Sequence, residues 1–227
     1  MKLLRRQACP NNMRITSLPF LCLGLVTVGD CNPNAIHGSG NIITESRNVG
    51  SFSKINLSGS PDVDVTVGSG VSVAVTADDN IVPIINTTVD GDTLNIDSKQ
   101  SYSTSHDVKV KITVPTLDGV FVSGSGDIHA TGLKAGEMRV KVTGSGDITL
   151  NGTAGHLSTE VTGSGDVRAG DLSARSVQVN VTGSGDVTVR ATEELDATVT
   201  GSGDVHYFGN PPQVRKHVTG SGDISAH

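Results

Sequence analysis

Apolar and polar residues alternate along most of the chain, in short stretches that recur. In residues 116–227 the apolar positions fall two apart, as in Val140 and Val142, and polar side chains such as Arg139 and Lys141 flank or separate them. A period of two is typical of β-strands that have one face in a core and the other in water. The pattern therefore predicts an all-β chain.

The tetrapeptide Gly-Ser-Gly-Asp occurs six times in this part of the chain, at intervals of 18 to 20 residues. Its two glycines are expected at sharp corners, where positive φ or close backbone approach leaves no room for a Cβ. Each repeat is then a strand, a corner, a second strand and a return. The predicted corner glycines are Gly124, Gly126, Gly144, Gly146, Gly163, Gly165, Gly183, Gly185, Gly201, Gly203, Gly220 and Gly222.

A repeat this short cannot bury its own apolar face, so copies must stack on one another. In a parallel β-helix successive coils lie about 4.8 Å apart, and equivalent residues form columns. A propeller blade needs about 40 residues, and a leucine-rich repeat needs a fixed Asn or Cys ladder. The sequence has neither pattern. We therefore predict a parallel β-helix, a solenoid of coils about 19 residues long.

Residues 36–115 are less regular, although apolar residues still alternate there. The runs Val63 to Val67 and Val71 to Val75 flank Gly68-Ser69-Gly70, which predicts a hairpin. We expect one continuous solenoid, with longer and less similar coils in residues 36–115 that cover the end of the core. Other polar segments are interpreted as two turns, Asp78 to Ile81 and Asp90 to Asp92, and a surface loop, Ser98 to Asp107.

Composition agrees with this architecture. Gly accounts for 28 of 227 residues, aromatic residues for 3%, and Trp is absent. A core of large rings is therefore excluded, and the many Gly, Ser, Thr and Val residues favour short strands and tight turns.

Residues 1–30 predict a secretory signal peptide. Basic residues, Lys2 to Arg14, precede an apolar stretch, Ile15 to Gly29, that is too short and too broken to span a bilayer. Met1 and Met13 both fit as the start. Export predicts an extracytoplasmic protein of the periplasm, the outer membrane or the cell surface.

The sequence after the leader is acidic. It holds 13 Lys and Arg against 22 Asp and Glu, a formal net charge of −9. Such a surface repels nucleic acids and anionic lipids, so we expect no nucleic-acid partner.

Cys31 is the only cysteine beyond the leader, which excludes an internal disulfide in the exported chain. Its place directly after an apolar stretch resembles the lipidated Cys of bacterial lipoproteins. The preceding residues, Val28 to Asp30, depart from that pattern, which has Leu near the third position before Cys and a small residue next to it. Two alternatives stay open: a lipid anchor at Cys31, which would be the only link to a membrane, or ordinary cleavage that leaves a free thiol.

Several motifs together resemble the bacterial family called the putative autotransporter adhesin head, or GIN, domain. They are Gly38-Ser39-Gly40-Asn41-Ile42, Ser58-Gly59, Ala77-Asp78, Leu94-Asn95-Ile96 and the repeated Gly-Ser-Gly-Asp. The resemblance extends over nearly all of residues 36–227. It implies a right-handed β-helix similar in outline to pectin lyases, carried by exported or lipid-anchored bacterial proteins, with a role in adhesion and without recognised catalytic residues.

The aspartates of the repeat form the main candidate site. Each lies next to an inward Ile or Val, so stacking should place six outward carboxylates about 4.8 Å apart. They are Asp127, Asp147, Asp166, Asp186, Asp204 and Asp223. They could bind a row of Ca²⁺ ions, as calcium-binding β-helix repeats do, although those repeats carry two such turns per coil. We favour the alternative that each carboxylate accepts hydrogen bonds from backbone N–H groups of its own corner.

A column of outward hydroxyls precedes the corners: Ser123, Thr143, Thr162, Thr182, Thr200 and Thr219. Such a row could contact a glycan, but β-branched Thr also suits any outward strand position. A catalytic site should interrupt the repeat, and the interruptions at Ser98 to Asp107 and Tyr207 to Arg215 contain no pair of acids. Tyr207 and Phe208 could stack on a sugar, but we interpret them as apolar cover over the last coil.

The leading hypothesis is a non-enzymatic adhesion module or structural scaffold without a cofactor, whose partner is a surface glycan or a protein. The second is a Ca²⁺-dependent carbohydrate-binding protein that uses the aspartates. A polysaccharide-active enzyme similar to pectin lyases is a third hypothesis, supported by fold analogy alone. End-to-end homo-oligomers are also open, and the charges of Arg215, Lys216 and His227 could block the exposed strand edge.

Overall fold

The structure, a computed structural model, describes residues 35–227, of which 69% are β-strand and 2% are helix. The predicted signal peptide, both start positions and Cys31 lie outside the described residues. One short 3₁₀ turn covers Val82–Ile84. The strands are β1 (Ile36–His37), β2 (Ile42–Arg47), β3 (Lys54–Gly59), β4 (Asp62–Val67), β5 (Ser72–Asp78), β6 (Ile85–Asp90), β7 (Thr93–Ser98), β8 (Tyr102–Ser103), β9 (Lys109–Val114), β10 (Gly119–Gly124), β11 (Ile128–Gly144), β12 (Ile148–Gly163), β13 (Val167–Gly183), β14 (Val187–Gly201), β15 (Val205–Phe208), β16 (Gln213–Gly220) and β17 (Ile224–Ala226).

The predicted parallel β-solenoid is confirmed, and it has about five turns. The long strands β11 to β14 pair in parallel along most of their length and bend around the coil. Each coil therefore contributes to two sheets. The front sheet contains β6, β7, β3, β10, the C-terminal parts of β11 to β14, and β16. The back sheet contains β2, β5, β9, β4, the N-terminal parts of β11 to β14, β15 and β17.

The core is built from stacked columns of inward aliphatic side chains. One column, for example, consists of Leu57, Val122, Val142, Val161, Val181 and Val199. Each of these side chains is at most 2% exposed. Val218 on β16 continues this column and is 40% exposed, because no further coil within residues 35–227 covers it. The predicted inward positions are thus confirmed, except at the open end.

The predicted hairpin around Gly68-Ser69-Gly70 is wrong. β9 lies between β4 and β5, parallel to the first and antiparallel to the second. All three strands present an alternating apolar face, such as Val63, Val73 and Val110, to the same core. Alternation assigns each strand a buried face, but it does not identify the neighbouring strand.

The N-terminal region also differs from the expected series of longer coils. β2 and β6 pair antiparallel to β5 and β7, and they form the N-terminal edges of the two sheets. The segment from Ser98 to Asp107 is more than a surface loop, because it contains β8, which pairs in parallel with β1. Within residues 35–227, no helix is long and apolar enough to cross a membrane.

Candidate functional site

The Gly-Ser-Gly-Asp corners connect the front sheet to the back sheet. The first glycine of each corner has a φ between 127° and 139°, a conformation that disfavours residues with a Cβ. The second glycine is constrained by packing. A Cβ on Gly146 would overlap the carbonyl oxygen of Gly126, one coil earlier.

The structure contains a seventh corner, Gly59-Ser60-Pro61-Asp62, which was not predicted from the sequence. Gly59 has a φ of 122° and stacks on Gly124, and Val63 stacks on Ile128. Proline replaces the second glycine here because this is the first corner of the stack. A Cβ on Gly59 would meet only the ring of Pro61, with no backbone of an earlier corner beneath it.

The aspartates of the corners form a continuous hydrogen-bonded column. Oδ1 of each carboxylate accepts a hydrogen bond from the backbone N–H of the aspartate one coil later, at 2.8–2.9 Å for all five pairs from Asp127 to Asp223. Asp62 begins the column with a longer contact of 3.4 Å to the N–H of Asp127. The donor thus comes from the next coil, whereas we expected a donor in the same corner. These hydrogen bonds link the coils to one another.

One arginine binds to the outer oxygens of this column. Arg168 contacts Oδ2 of Asp147 at 2.7 Å and Oδ2 of Asp166 at 2.9 Å. The hydrogen bond to Asp147 raises the pKa of the Arg168 guanidinium, and the charge of Asp166 adds to the effect. At the head of the column, partial burial raises the pKa of the Asp62 carboxyl. Among the described residues, no group of three or more His, Cys, Asp or Glu side chains is arranged to hold a metal ion.

A second polar cluster lies at the N-terminal end of the solenoid, around Asp78. This carboxylate is buried and accepts hydrogen bonds from the N–H of Gly40 at 2.6 Å and the hydroxyl of Thr104 at 2.5 Å. His106 Nδ1 lies 3.9 Å from Oδ1 of Asp78. The hydrogen bond from Thr104, followed by those from the backbone, lowers the pKa of the Asp78 carboxyl, although burial acts in the opposite direction.

The two residues after Asp78 bind the same N-terminal segment. Asp79 accepts hydrogen bonds from the Asn41 amide and the Ser39 hydroxyl. These two hydrogen bonds, the one from Asn41 first, lower the pKa of the Asp79 carboxyl. Asn80 accepts from the N–H of Ser39 and donates to the carbonyl of His37. Residues 79–81 form the predicted turn, and Asp79 and Asn80 in addition hold residues 37–41 in place. The signal was the motif Gly38-Ser39-Gly40-Asn41, which has no place in the stacked corners.

The predicted hydroxyl column lies on the outer face of the front sheet. Its members from Ser123 to Thr219 are exposed and aligned in register. Phe121, Lys141 and Glu160 lie on the same face, and Lys141 forms an ion pair with Glu160 at 2.9 Å.

The aromatic residues near the C-terminus have separate surroundings. Tyr207 is 8% exposed, and Lys216 Nζ lies 4.7 Å from the centre of its ring. Phe208 is partly exposed between Arg190, at 5.0 Å, and His227, at 5.5 Å. Neither ring is open to a sugar on both faces.

An open groove of about 840 Å³ runs over the return segments of β11 to β14. Lys134 and Arg175 flank small residues such as Thr153, Ser173 and Thr192. The lining contains no carboxylate, so the groove does not offer the acid pair that glycoside hydrolysis needs.

The corner repeat and the similarity of the chain to known sequences together identify its family. Residues 51–211 match the family described as "Putative auto-transporter adhesin, head GIN domain". This chain belongs to that family. The resemblance inferred from its motifs is therefore confirmed.

Several solved structures share the fold of this GIN domain. A putative adhesin from Bacteroides fragilis is 29% identical and has a TM-score of 0.70, covering 85% of this chain and 100% of its own. A putative lipid binding protein from Parabacteroides distasonis is 26% identical, with a TM-score of 0.58 and coverage of 85% and 99%. A putative adhesin from Parabacteroides merdae, at 21% identity, a TM-score of 0.54 and coverage of 86% and 99%, shows the fold alone. Among curated proteins, none shows significant similarity to the chain.

Proposed function

We propose that this GIN domain is a non-enzymatic module of the cell exterior that adheres to a surface glycan or protein through the outer face of its front sheet. The observation that carries the proposal is the aligned, exposed hydroxyl column of that face. The family description and the similarity to the putative adhesin from Bacteroides fragilis support the adhesive role.

The front face suits weak contacts that repeat along a partner. Parallel pairing fixes Thr143, Thr162 and Thr182 on adjacent strands, so their hydroxyls repeat at the strand spacing of about 4.8 Å. Because the backbone is already ordered by the ladder, little conformational entropy is lost when a partner binds. Neighbouring side chains of both charges, Lys141 and Glu160, add polar contacts without a strong net field.

Negative charge on the front face is expected to weaken adhesion strongly. Thr162→Glu combined with Thr182→Glu should lower retention about tenfold or more, because two carboxylates would have to be desolvated in the contact. Fluorescent beads that carry the full-length chain would be tested on immobilised neutral polysaccharide, acidic polysaccharide and collagen. Thr153→Glu combined with Thr192→Glu is the matched control, since both residues are exposed on the return side.

Retention of the wild type and the control, but not of the front-face variant, would support the proposal. Equal retention of all three would overturn the assignment of the face. Release of reducing ends from either polysaccharide would replace the adhesive role with an enzymatic one.

A Ca²⁺-dependent carbohydrate-binding role is the second candidate. It is motivated by the contact of Arg168 with the outer oxygens of Asp147 and Asp166, since those oxygens accept a cation. Against it, Oδ1 of each aspartate from Asp127 to Asp204 already accepts a backbone hydrogen bond. The same bead assay in EDTA separates the two roles, because loss of retention in EDTA favours Ca²⁺ and unchanged retention favours the front face.

A further inference from the structure

The C-terminal end of the front sheet is open. All eight residues of β16 are exposed, and within residues 35–227 this strand pairs only with β14. Val214 and Val218 are inward positions by register, yet they are 39% and 40% exposed. A free strand edge beside exposed apolar side chains is a template on which another chain can add a strand.

The inward position between these two valines is Lys216, the last member of a row of inward residues. Along the solenoid the row consists of Ile55, Val120, Val140, Thr159, Val179, Ala197 and Lys216. Every member from Ile55 to Ala197 is at most 2% exposed and lies inside the core. The last position therefore holds a lysine, whereas every earlier member of the row is uncharged and buried.

Lys216 extends across the end of the core from the front sheet to the back sheet. Its Nζ donates a hydrogen bond to the carbonyl oxygen of Ile224 on β17, at 2.9 Å. The ammonium also lies 4.7 Å from the centre of the Tyr207 ring on β15. A coil added at this end would have to pack on this ammonium, and removing a charge from water without a charged partner is costly.

The neighbouring charge on the same strand has a different role. Arg215 points to the outer face, where it contacts Glu194 at 2.7 Å and Asp196 at 3.6 Å. It therefore stays clear of the surface on which a further coil would stack. This contrast provides a matched control within one strand.

We propose that Lys216 is a stopper, an inward charge that closes the C-terminal end of the solenoid and prevents a second copy of the chain from stacking there. Inward charged residues on edge strands are a known protection against edge-to-edge association. Without Lys216, the strand would present Val214 and Val218 as a continuous apolar end.

The test is the oligomeric state of the full-length chain by sedimentation velocity over a range of concentrations. Lys216→Ala copies the residue of the preceding coil, Ala197, and Lys216→Met keeps a long unbranched side chain without the charge. Both variants are expected to form dimers and longer species as concentration rises. The wild type and Arg215→Ala are expected to stay monomeric.

Folded Lys216→Ala and Lys216→Met chains that stay monomeric at every concentration would overturn the proposal. So would assembly of the wild type, or of Arg215→Ala to the same extent as the lysine variants. If neither lysine variant folds, as judged by circular dichroism, Lys216 holds the last coil together and is not a stopper, and the proposal fails.

Discussion

Gly165→Ala is expected to lower the free energy of unfolding by about 4 kcal/mol or more, or to prevent folding altogether. The added Cβ would overlap the carbonyl oxygen of Gly146 in the preceding coil and meet a methyl group of Val142 at 2.8 Å. Neither neighbour can move freely, because Gly146 belongs to a corner in the same stack and Val142 is fully buried. Overpacked sites that cannot relax are among the few causes of such large losses.

The matched control is Gly136→Ala in the adjacent coil. An added Cβ there has no atom within 4 Å, and the residue does not have the positive φ that excludes side chains. Its effect should stay within about 0.5 kcal/mol. Urea unfolding followed by circular dichroism measures both variants, and equal losses for the two would contradict the account of the second corner glycine.

Asp78→Asn is expected to release the N-terminal segment of the domain. The carboxylate is buried and accepts hydrogen bonds from Gly40 and Thr104, and an amide in its place can accept through only one oxygen. Leaving a buried donor unpaired is costly. We expect backbone amides in residues 36–41 to exchange hydrogen about tenfold faster or more, and the melting temperature to fall.

The same cluster predicts how stability depends on pH. Asp78 and Asp79 have a lowered pKa in the folded chain. Their stabilising contribution is therefore complete above the unfolded-state pKa of about 3.9 and is lost as the pH falls through the lower folded-state values. The melting temperature of the wild type should fall over that range, and the fall should be smaller for Asp78→Asn.

Asp90→Asn is the control for the exchange measurement, because Asp90 is an exposed carboxylate in the same N-terminal region. It should leave the exchange of residues 36–41 unchanged. Unaltered exchange in Asp78→Asn would show that the buried carboxylate does not hold the segment.

Much of the fold could be predicted because the same pattern of buried and exposed positions recurs in each repeat. Every corner except the last has a buried aliphatic residue two positions before its first glycine, so the inward columns and the parallel register followed from spacing alone. The same alternation wrongly predicted that β4 and β5 pair with each other. A third apolar strand, β9, lies between them and has the same alternating pattern. Local patterns determine which face is buried, whereas the pairing of distant strands depends on the whole chain.

The missed corner has a similar explanation. Gly59-Ser60-Pro61-Asp62 differs from the repeat only at its third residue, and that residue is free to differ because no earlier corner packs beneath it. A search for identical tetrapeptides therefore finds the later corners of the stack but misses the first corner.

The candidate site could be predicted only in part. The sequence located the aspartates on the outer surface, but it could not show that each accepts a hydrogen bond from the following coil, because that donor lies 18 to 20 residues away. Asp78 depends on contacts with Gly40 and Thr104, 38 and 26 residues distant. Contacts of this range follow from the path of the chain and leave no local signal.

We expect the aspartate column to stabilise the solenoid through its hydrogen bonds between coils, without a bound ion. The most direct measurement is thermal unfolding of the full-length chain in EDTA and in millimolar Ca²⁺, compared with the variant that combines Asp166→Asn and Asp186→Asn. Our account predicts the same melting temperature with and without Ca²⁺, and a lower one for the variant under both conditions, because the hydrogen bonds between coils are weakened. An ion that binds only the folded chain raises the melting temperature by mass action. A clear rise in Ca²⁺ that the variant loses would therefore contradict the claim and identify the column as a metal site.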